Sequence, residues 1–367
     1  MNYETREIRP GEAAELKRLA CPNFSVVEQL FMSKPKMGIV AQADDGNVAG
    51  GAFLVIVEAG EKKVGCIDII FVLPQYRGSG VAKQLYHAAV ENLHQRGCDT
   101  VMALVRGDNS QSLRRFEAEG LRPTSLHGLR QKIVFSATAA LFVKTASLAC
   151  ATGCWILCEN AMPQSIGGNA KNILRTFLAN GALLLCGALI GSLLHTESTP
   201  WWNLLAALFF LAVLTLGESL GRKAVGGSWR FVLPEGGLVP TAIVALLGGF
   251  YPMLGHWYLV ERDNTDEYRK RMAAPAKGAW LALMAATFVC GILNKMHPFL
   301  GCGVDLGVML LVFYMLPFYP FDTFGGRRVR EHSVRTYGAF VTFSIITLAL
   351  MVCGILLSIA YLLGMEI

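Results

Sequence analysis

The chain is short of charge. Asp, Glu, Lys and Arg make up 16% of its 367 residues and mean hydropathy is +0.43, whereas about a quarter of an ordinary soluble protein is charged. The shortage is uneven. Up to about Val143 charged residues recur every few positions, but from Phe177 onward long runs contain none. This pattern predicts a soluble domain followed by a membrane domain. Met1–Glu7 has no apolar run behind its charges, so no signal peptide is expected there and the first domain should stay in the cytoplasm. A disulfide framework is also missing: of ten cysteines, Cys186, Cys290, Cys302 and Cys353 lie inside apolar runs, as small core residues do.

Cys150, Cys154 and Cys158 recur at a spacing that would put them on one face of a short helix. Packing, lipid contact or reversible acylation would each suit them, and a metal would need a fourth ligand that the spacing does not supply.

The first part alternates strand and helix patterns. A strand is expected near Tyr3–Arg9, then helices over Gly11–Cys21 and Val26–Met32. Strands Met37–Gln42 and Val48–Ala59 flank Asp44-Asp45-Gly46-Asn47, a strong hairpin signal. A strand to Val72 then runs into Leu73-Pro74-Gln75-Tyr76-Arg77-Gly78-Ser79-Gly80, followed by a helix over Val81–Arg96. Glycines at such a turn let backbone N–H groups converge without a Cβ in the way, and the following helix adds its positive end. The result is an anion site suited to a pyrophosphate. Thr100–Val105 is a further strand, and Asn109–Gly120 a helix ending at its glycine.

These residues resemble the GCN5-related N-acetyltransferase (GNAT) family. Gln75, Gly78 and Gly80 match its acetyl-CoA loop, Val72 and Pro74 the preceding Val-x-Pro, and Asn109, Ser112, Phe116, Gly120 and Leu121 its second signature. The resemblance covers residues 1 to about 145. It implies an α/β (α+β) domain with a mixed central sheet that takes acetyl-CoA, or another acyl-CoA, as co-substrate and acylates an amine acceptor. It further implies that Val72 holds the pantetheine arm, that Arg77, Gly78, Ser79, Gly80 and Val81 cradle the pyrophosphate, and that Asn109 and Ser112 lie beside the cofactor. The family's proton-donating Tyr is replaced by Phe116, so water or another side chain must protonate the thiolate, or catalysis is slow or absent. Asp68 is the candidate base, two and four residues before Ile70 and Val72 on one strand face; it could equally point to solvent.

Ala139–Lys144 resembles the last strand of such a domain, which leaves residues 146–176 as an interfacial linker and 177–367 as an all-α multi-pass membrane domain. Spans are expected at Phe177–Leu194, Trp202–Leu220, Gly278–Asn294, Phe299–Tyr319 and Tyr337–Leu363. Leu238–Val260 carries Pro240, Gly248, Gly249, Pro252 and Gly255, breakers that favour a re-entrant or hairpin segment. Five spans from a cytoplasmic start keep Arg222, Lys223, Arg230, Arg269, Lys270 and Arg271 inside and only Lys295 outside. The net charge of +6 is accounted for by such loops beside anionic headgroups, so the bilayer and not nucleic acid is the expected partner.

Leu316–Arg327, with Asp322, resembles the C-terminal Asp motif of the site-2 protease family. The family's His-Glu-x-x-His motif is met only by Glu218-Ser219-Leu220-Gly221-Arg222. With both histidines and the catalytic Glu replaced, the resemblance implies a scaffold without zinc or proteolysis, in which Glu218, Arg222 and Asp322 form a charge network. Asp305, deep in a span, is a functional-site candidate by default. His256 and His297 are expected as hydrogen-bonded anchors. Gly187 with Gly191, and Gly303 with Gly307, have spacings that permit close helix approach. A non-enzymatic acetyl-CoA sensor holding a partner helix is the competing reading.

Overall fold

The computed structural model describes residues 3–24, 26–32, 34–59, 62–130, 138, 140–141, 144–145, 154–161, 168–193, 201–263, 265–318 and 321–362. The chain divides into two compact units: residues 1–166 with Pro234–Gly237, and the remainder.

The first unit is built on a seven-stranded sheet with strand order β1-β2-β3-β4-β5-β7-β6. Its strands are β1 (Tyr3–Glu7), β2 (Met37–Ala43), β3 (Val48–Ala59), β4 (Lys62–Val72), β5 (Thr100–Arg106), β6 (Leu121–Thr124) and β7 (Cys154–Glu159). Neighbours are antiparallel except β4 and β5, which run parallel. The connection between that parallel pair is α3 (Val81–Gln95); α1 (Ala13–Ala20), α2 (Val26–Phe31), α4 (Ser110–Ala118) and α5 (Leu126–Arg130) complete the unit. Leu85, Ala89 and Leu93 recur on one stripe of α3 and bury completely against the sheet, where Gly65 leaves room for Leu93. Leu16 of α1 packs with Phe53 and Phe71 in a separate cluster.

The hairpin β2–β3 and the elements through α4 fall where the sequence places them, within a residue or two at most ends. The close of the domain does not. The described residues among 139–144, Ala140, Leu141 and Lys144, are helical, and the strand is Cys154–Glu159. It pairs with β5 from Met102↔Cys158 to Arg106↔Cys154 and with β6 from Leu121↔Glu159 to Thr124↔Ile156. The expected boundary at 145 and the linker over 146–176 are therefore corrected: the first unit runs to 166. Cys154 and Cys158 share a strand face rather than a helix face, since a spacing of four does so on both; Cys150 lies outside the described residues.

The second unit contains α6 (Asn169–Leu193), α7 (Trp201–Val225), α8 (Leu238–Leu246), α9 (Asp266–Leu293), α10 (Pro298–Met315), α11 (Gly326–His332) and α12 (Val334–Leu362). Among the described residues five helices are long and apolar enough to cross a membrane: α6, α7, α9, α10 and α12. They correspond to the five expected spans. The unit is not all-α, because β8 (Trp229–Val232) and β9 (His256–Leu259) pair antiparallel as a ribbon. The breaker-rich stretch becomes the nine-residue α8, a turn at Leu247–Gly248, an irregular segment and β9. Buried backbone groups in and beside that stretch find side-chain partners. Asn180 donates to Met253 O (3.0 Å) and accepts from Met253 N (2.9 Å), while Asn172 donates to Phe231 O (2.9 Å).

Helix α9 is central, touching α7, α10, α11 and α12. Gly217 and Gly221 of α7 lie directly against Gly278 and Ala274 of α9, so a side chain at Gly217 or Gly278 would strike backbone. Of the glycines expected to permit close approach, Gly187 meets Ala245, Gly303 meets Cys290 and Gly307 meets Thr287. Trp280, Tyr314, Phe210 and Phe324 form the fully buried centre, with Trp280 Nε1 donating to Ser344 Oγ (2.9 Å).

Candidate functional site

The parallel pairing of β4 and β5 starts at Val64↔Thr100 and stops at Ile67↔Ala103, although β4 continues to Val72 and β5 to Arg106. The strands part beyond that point. On its β5 side, the backbone of Asp68–Val72 has no strand partner among the described residues, leaving a notch between the carboxyl ends of two parallel strands. Such crevices are where open sheets with parallel strands bind ligands.

One rim of the notch is the loop after β4. Leu73 N donates to Ala49 O (2.9 Å) and Tyr76 N to Leu73 O (2.9 Å), closing a tight turn over Pro74–Tyr76. Gly78 (φ +85°) and Gly80 (φ +94°) take left-handed conformations that a side chain resists. Gly80 caps α3 without a side-chain hydrogen bond, and the first turn of α3 has no acidic residue. The leading N–H groups of the helix therefore face outward beside its positive end. Val81 is buried and anchors the helix start, whereas Gln75, Arg77, Gly78, Ser79 and Gly80 are exposed. Ser79 Oγ donates to Tyr76 O (2.6 Å), and Arg77 Nη2 donates to Asn23 Oδ1 (2.7 Å), tying the loop to the turn after α1.

The other rim is the start of α4, just past β5. Asn109 is the N-cap: its Oδ1 accepts from Ser112 N (3.1 Å). The Ser112 hydroxyl accepts from Tyr86 OH (2.9 Å), and the Tyr86 ring meets Phe116 edge-on at 4.5 Å. Phe116 is buried in the core. Burial raises the Tyr86 phenol pKa, against a smaller opposing effect of the Ser112 hydrogen bond, so the phenol stays protonated at neutral pH. Tyr86 is absent from the sequence reading; its signal is a hydroxyl on the otherwise apolar stripe of α3.

Residues 9–120 match the family described as Acetyltransferase (GNAT) family. They form a GNAT domain. Similar solved structures include the NatC complex bound to Gag peptide and CoA, at 18% identity, 43% of this chain, 98% of that chain and a TM-score of 0.31. Naa50 from Arabidopsis thaliana, in complex with a bisubstrate analogue, is similar at 13% identity over 44% of this chain and 99% of that one, TM-score 0.31. N-acetylglutamate synthase from Neisseria gonorrhoeae is similar at 16% identity over 44% of this chain and 36% of that chain, again with a TM-score of 0.31. No curated protein matches the chain.

Within the GNAT domain Asp68 is half-buried and sits at a β-bulge. Ile67 pairs with Leu54 and Ile69 with Phe53, so Asp68 is the extra residue, and local alternation puts it on the face of Ile70 and Val72. Its charge reaches Cys66, whose thiol pKa is pushed up first by burial and then by that carboxylate. Val72 pairs with Gly50, and its carbonyl meets Arg77 Nε at 3.5 Å, the limit of a hydrogen bond.

In the second unit the expected trio is not what assembles. Glu218 pairs with His256: Oε1 lies 2.6 Å from Nδ1, both side chains are buried, and Trp257 N donates to Oε2 (3.3 Å). Arg222 lies 3.6 Å over the Trp257 ring instead of joining Glu218. The Asp322 side chain lies outside the described residues. His297 behaves as an anchor: it caps α10, accepting from Phe299 N (3.1 Å), and meets Trp202 edge-on. Among the described residues no group of three or more His, Cys, Asp or Glu is placed to hold a metal.

Proposed function

We propose that the protein is a membrane-tethered, acetyl-CoA-dependent N-acyltransferase acting on an amine of a membrane-associated acceptor. The notch carries this reading: it joins unpaired β4 backbone, an open helix N-terminus behind two left-handed glycines, and a capped second helix in one GNAT domain. Pyrophosphate would sit on the N–H groups of Gly78–Val81, the pantetheine arm would pair with β4 near Val72, and an N–H of β4 would polarise the thioester carbonyl. The amine attacks the carbonyl carbon and gives up its proton to Asp68, directly or through water; the C–S bond breaks and the sulfur takes a proton. Phe116 cannot supply that proton. Ser112 can relay one: its O–H passes a proton to the sulfur while its oxygen takes the proton of the Tyr86 phenol, from which it already accepts a hydrogen bond.

The tether is read from the five apolar helices and from basic residues gathered in the loops of one side. The cytoplasmic placement of the GNAT domain follows from the same charge asymmetry, and tethering would raise the local concentration of bilayer-bound acceptors. The second unit is read, on its sequence alone, as a protease-like scaffold without zinc; one zinc per chain by atomic absorption would overturn that.

The test is turnover of acetyl-CoA by the full-length protein in detergent, followed as free thiol, against a panel of peptide, lipid and small-molecule amines. Turnover with any acceptor supports the enzyme. Tight binding without turnover supports the sensor, which the buried Phe116 favours. Failure to bind acetyl-CoA removes both.

A further inference from the structure

Asp305 lies in the second or third turn of α10, which at 1.5 Å per residue puts it roughly 10 Å from the Pro298 end. A carboxylate at that depth of a span is costly unless it faces protein, water or a cation. Among the described residues Asp305 has no hydrogen-bond or ion-pair partner. It borders a cavity of about 430 Å³ between α6, α7, the turn after α8 and α10. The described walls are apolar, including Leu184, Ala188, Ala207 and Met309; among the described residues lining it, the other side chains that can hydrogen-bond are Asn203 and the Trp201 indole. A volume of this size is in the usual range for small-molecule sites, about 300–1,000 Å³.

We propose that this cavity binds a single-chain aliphatic amine, with its ammonium held by the Asp305 carboxylate and the Asn203 amide oxygen and its chain along the apolar walls. The chemistry selects this occupant. A fatty acid would set carboxylate against carboxylate, and an alcohol would leave Asp305 without a counter-charge. A two-chain phospholipid exceeds the volume and brings its own phosphate. The proposal rests on the membrane-embedded reading of this unit and not on acyl transfer.

The experiment uses the full-length protein in phosphatidylcholine nanodiscs, with dodecylamine as probe and dodecanol and laurate as comparators, read by equilibrium dialysis. Dodecylamine is expected to bind at least tenfold more tightly than either comparator. Asp305→Asn should erase the preference and Asp305→Glu should keep part of it. Equal binding of amine and alcohol by the wild type, or a preference that survives Asp305→Asn, overturns the proposal. Should Asp305→Asn fail to fold, a photoreactive alkylamine decides the matter on the wild type. Labelling on peptides containing Asn203 or Asp305 supports the site, and labelling confined elsewhere overturns it. Extraction of the protein by carbonate would sink the membrane reading separately.

Discussion

Three side chains on the GNAT rim do different work. Gly80 needs its left-handed backbone, yet a Cβ there meets nothing within 4 Å. Gly80→Ala therefore tests conformation alone, at a cost of about 1–2 kcal/mol. The dissociation constant for acetyl-CoA, measured by calorimetry, should rise about tenfold; an unchanged constant would remove the loop from the binding site. Ser112 and Tyr86 test the proton path. Ser112→Ala should lower kcat about 100-fold with little change in KM for acetyl-CoA, and Tyr86→Phe should lower it several-fold. A fall in acetyl-CoA affinity at constant kcat would make Ser112 a binding residue only. Phe116 was legible as a departure from the family, but the hydroxyl pair beside it was not. Tyr86 is 26 residues from Ser112, and only the packing of α3 on α4 joins them.

At the scale of elements, β7 decides where the GNAT domain ends. Among the described strands it is the pairing partner of β6, and it pairs with β5 along the edge opposite β4. Glu159 at its end also accepts from Val101 N (3.0 Å) and pairs with His94 of α3 (2.8 Å). A fragment of residues 1–145 should consequently be insoluble or lack a cooperative melt, while 1–166 should give one by circular dichroism. The His94 bridge adds a pH signature. Its hydrogen bond to Glu159, outweighing desolvation, raises the imidazole pKa above the usual 6.5. A raised folded pKa means the bridge's contribution is complete below about pH 6.5 and fades as pH rises through the folded value. The melting temperature of 1–166 should fall from pH 6 to pH 8, and His94→Gln should flatten that slope. In the second unit, Asn180→Leu would leave the Met253 N–H and C=O without partners, at about 1–3 kcal/mol each. The detergent-solubilised protein should melt well below the wild type.

For the whole molecule, the testable quantity is sidedness. With the GNAT domain in the cytoplasm, a cysteine placed at Lys295 should react with an impermeant maleimide added from outside. Cysteines at Arg222 or Arg269 should react only after permeabilisation. The reverse pattern would invert the topology and place the GNAT domain away from cytoplasmic acetyl-CoA. The long apolar helices were plain in the sequence, because a sustained run of apolar residues about 20 long leaves few other patterns to read. The ribbon of β8 and β9 was not. Its strands are four residues each and pair across an intervening helix, too short for a periodicity to register.

By itself, the sequence determined the features that depend on neighbours along the chain. These are the glycine turn and the helix it starts, the hairpin at Asp44–Asn47 and the long apolar helices. Each is set by backbone freedom or a sustained pattern within about 20 residues. The tertiary structure alone decided what depends on distant partners. The apolar stretch before Glu159 reads alike as a strand, a linker or part of a span until β5 and β6 accept it as the strand between them. Glu218 reads as a partner for Arg222, four residues on, until β9 delivers His256 and Arg222 turns to Trp257. In both cases the deciding interaction is a hydrogen bond or contact between residues tens of positions apart, and no local pattern encodes which of several chemically equivalent partners the fold will bring.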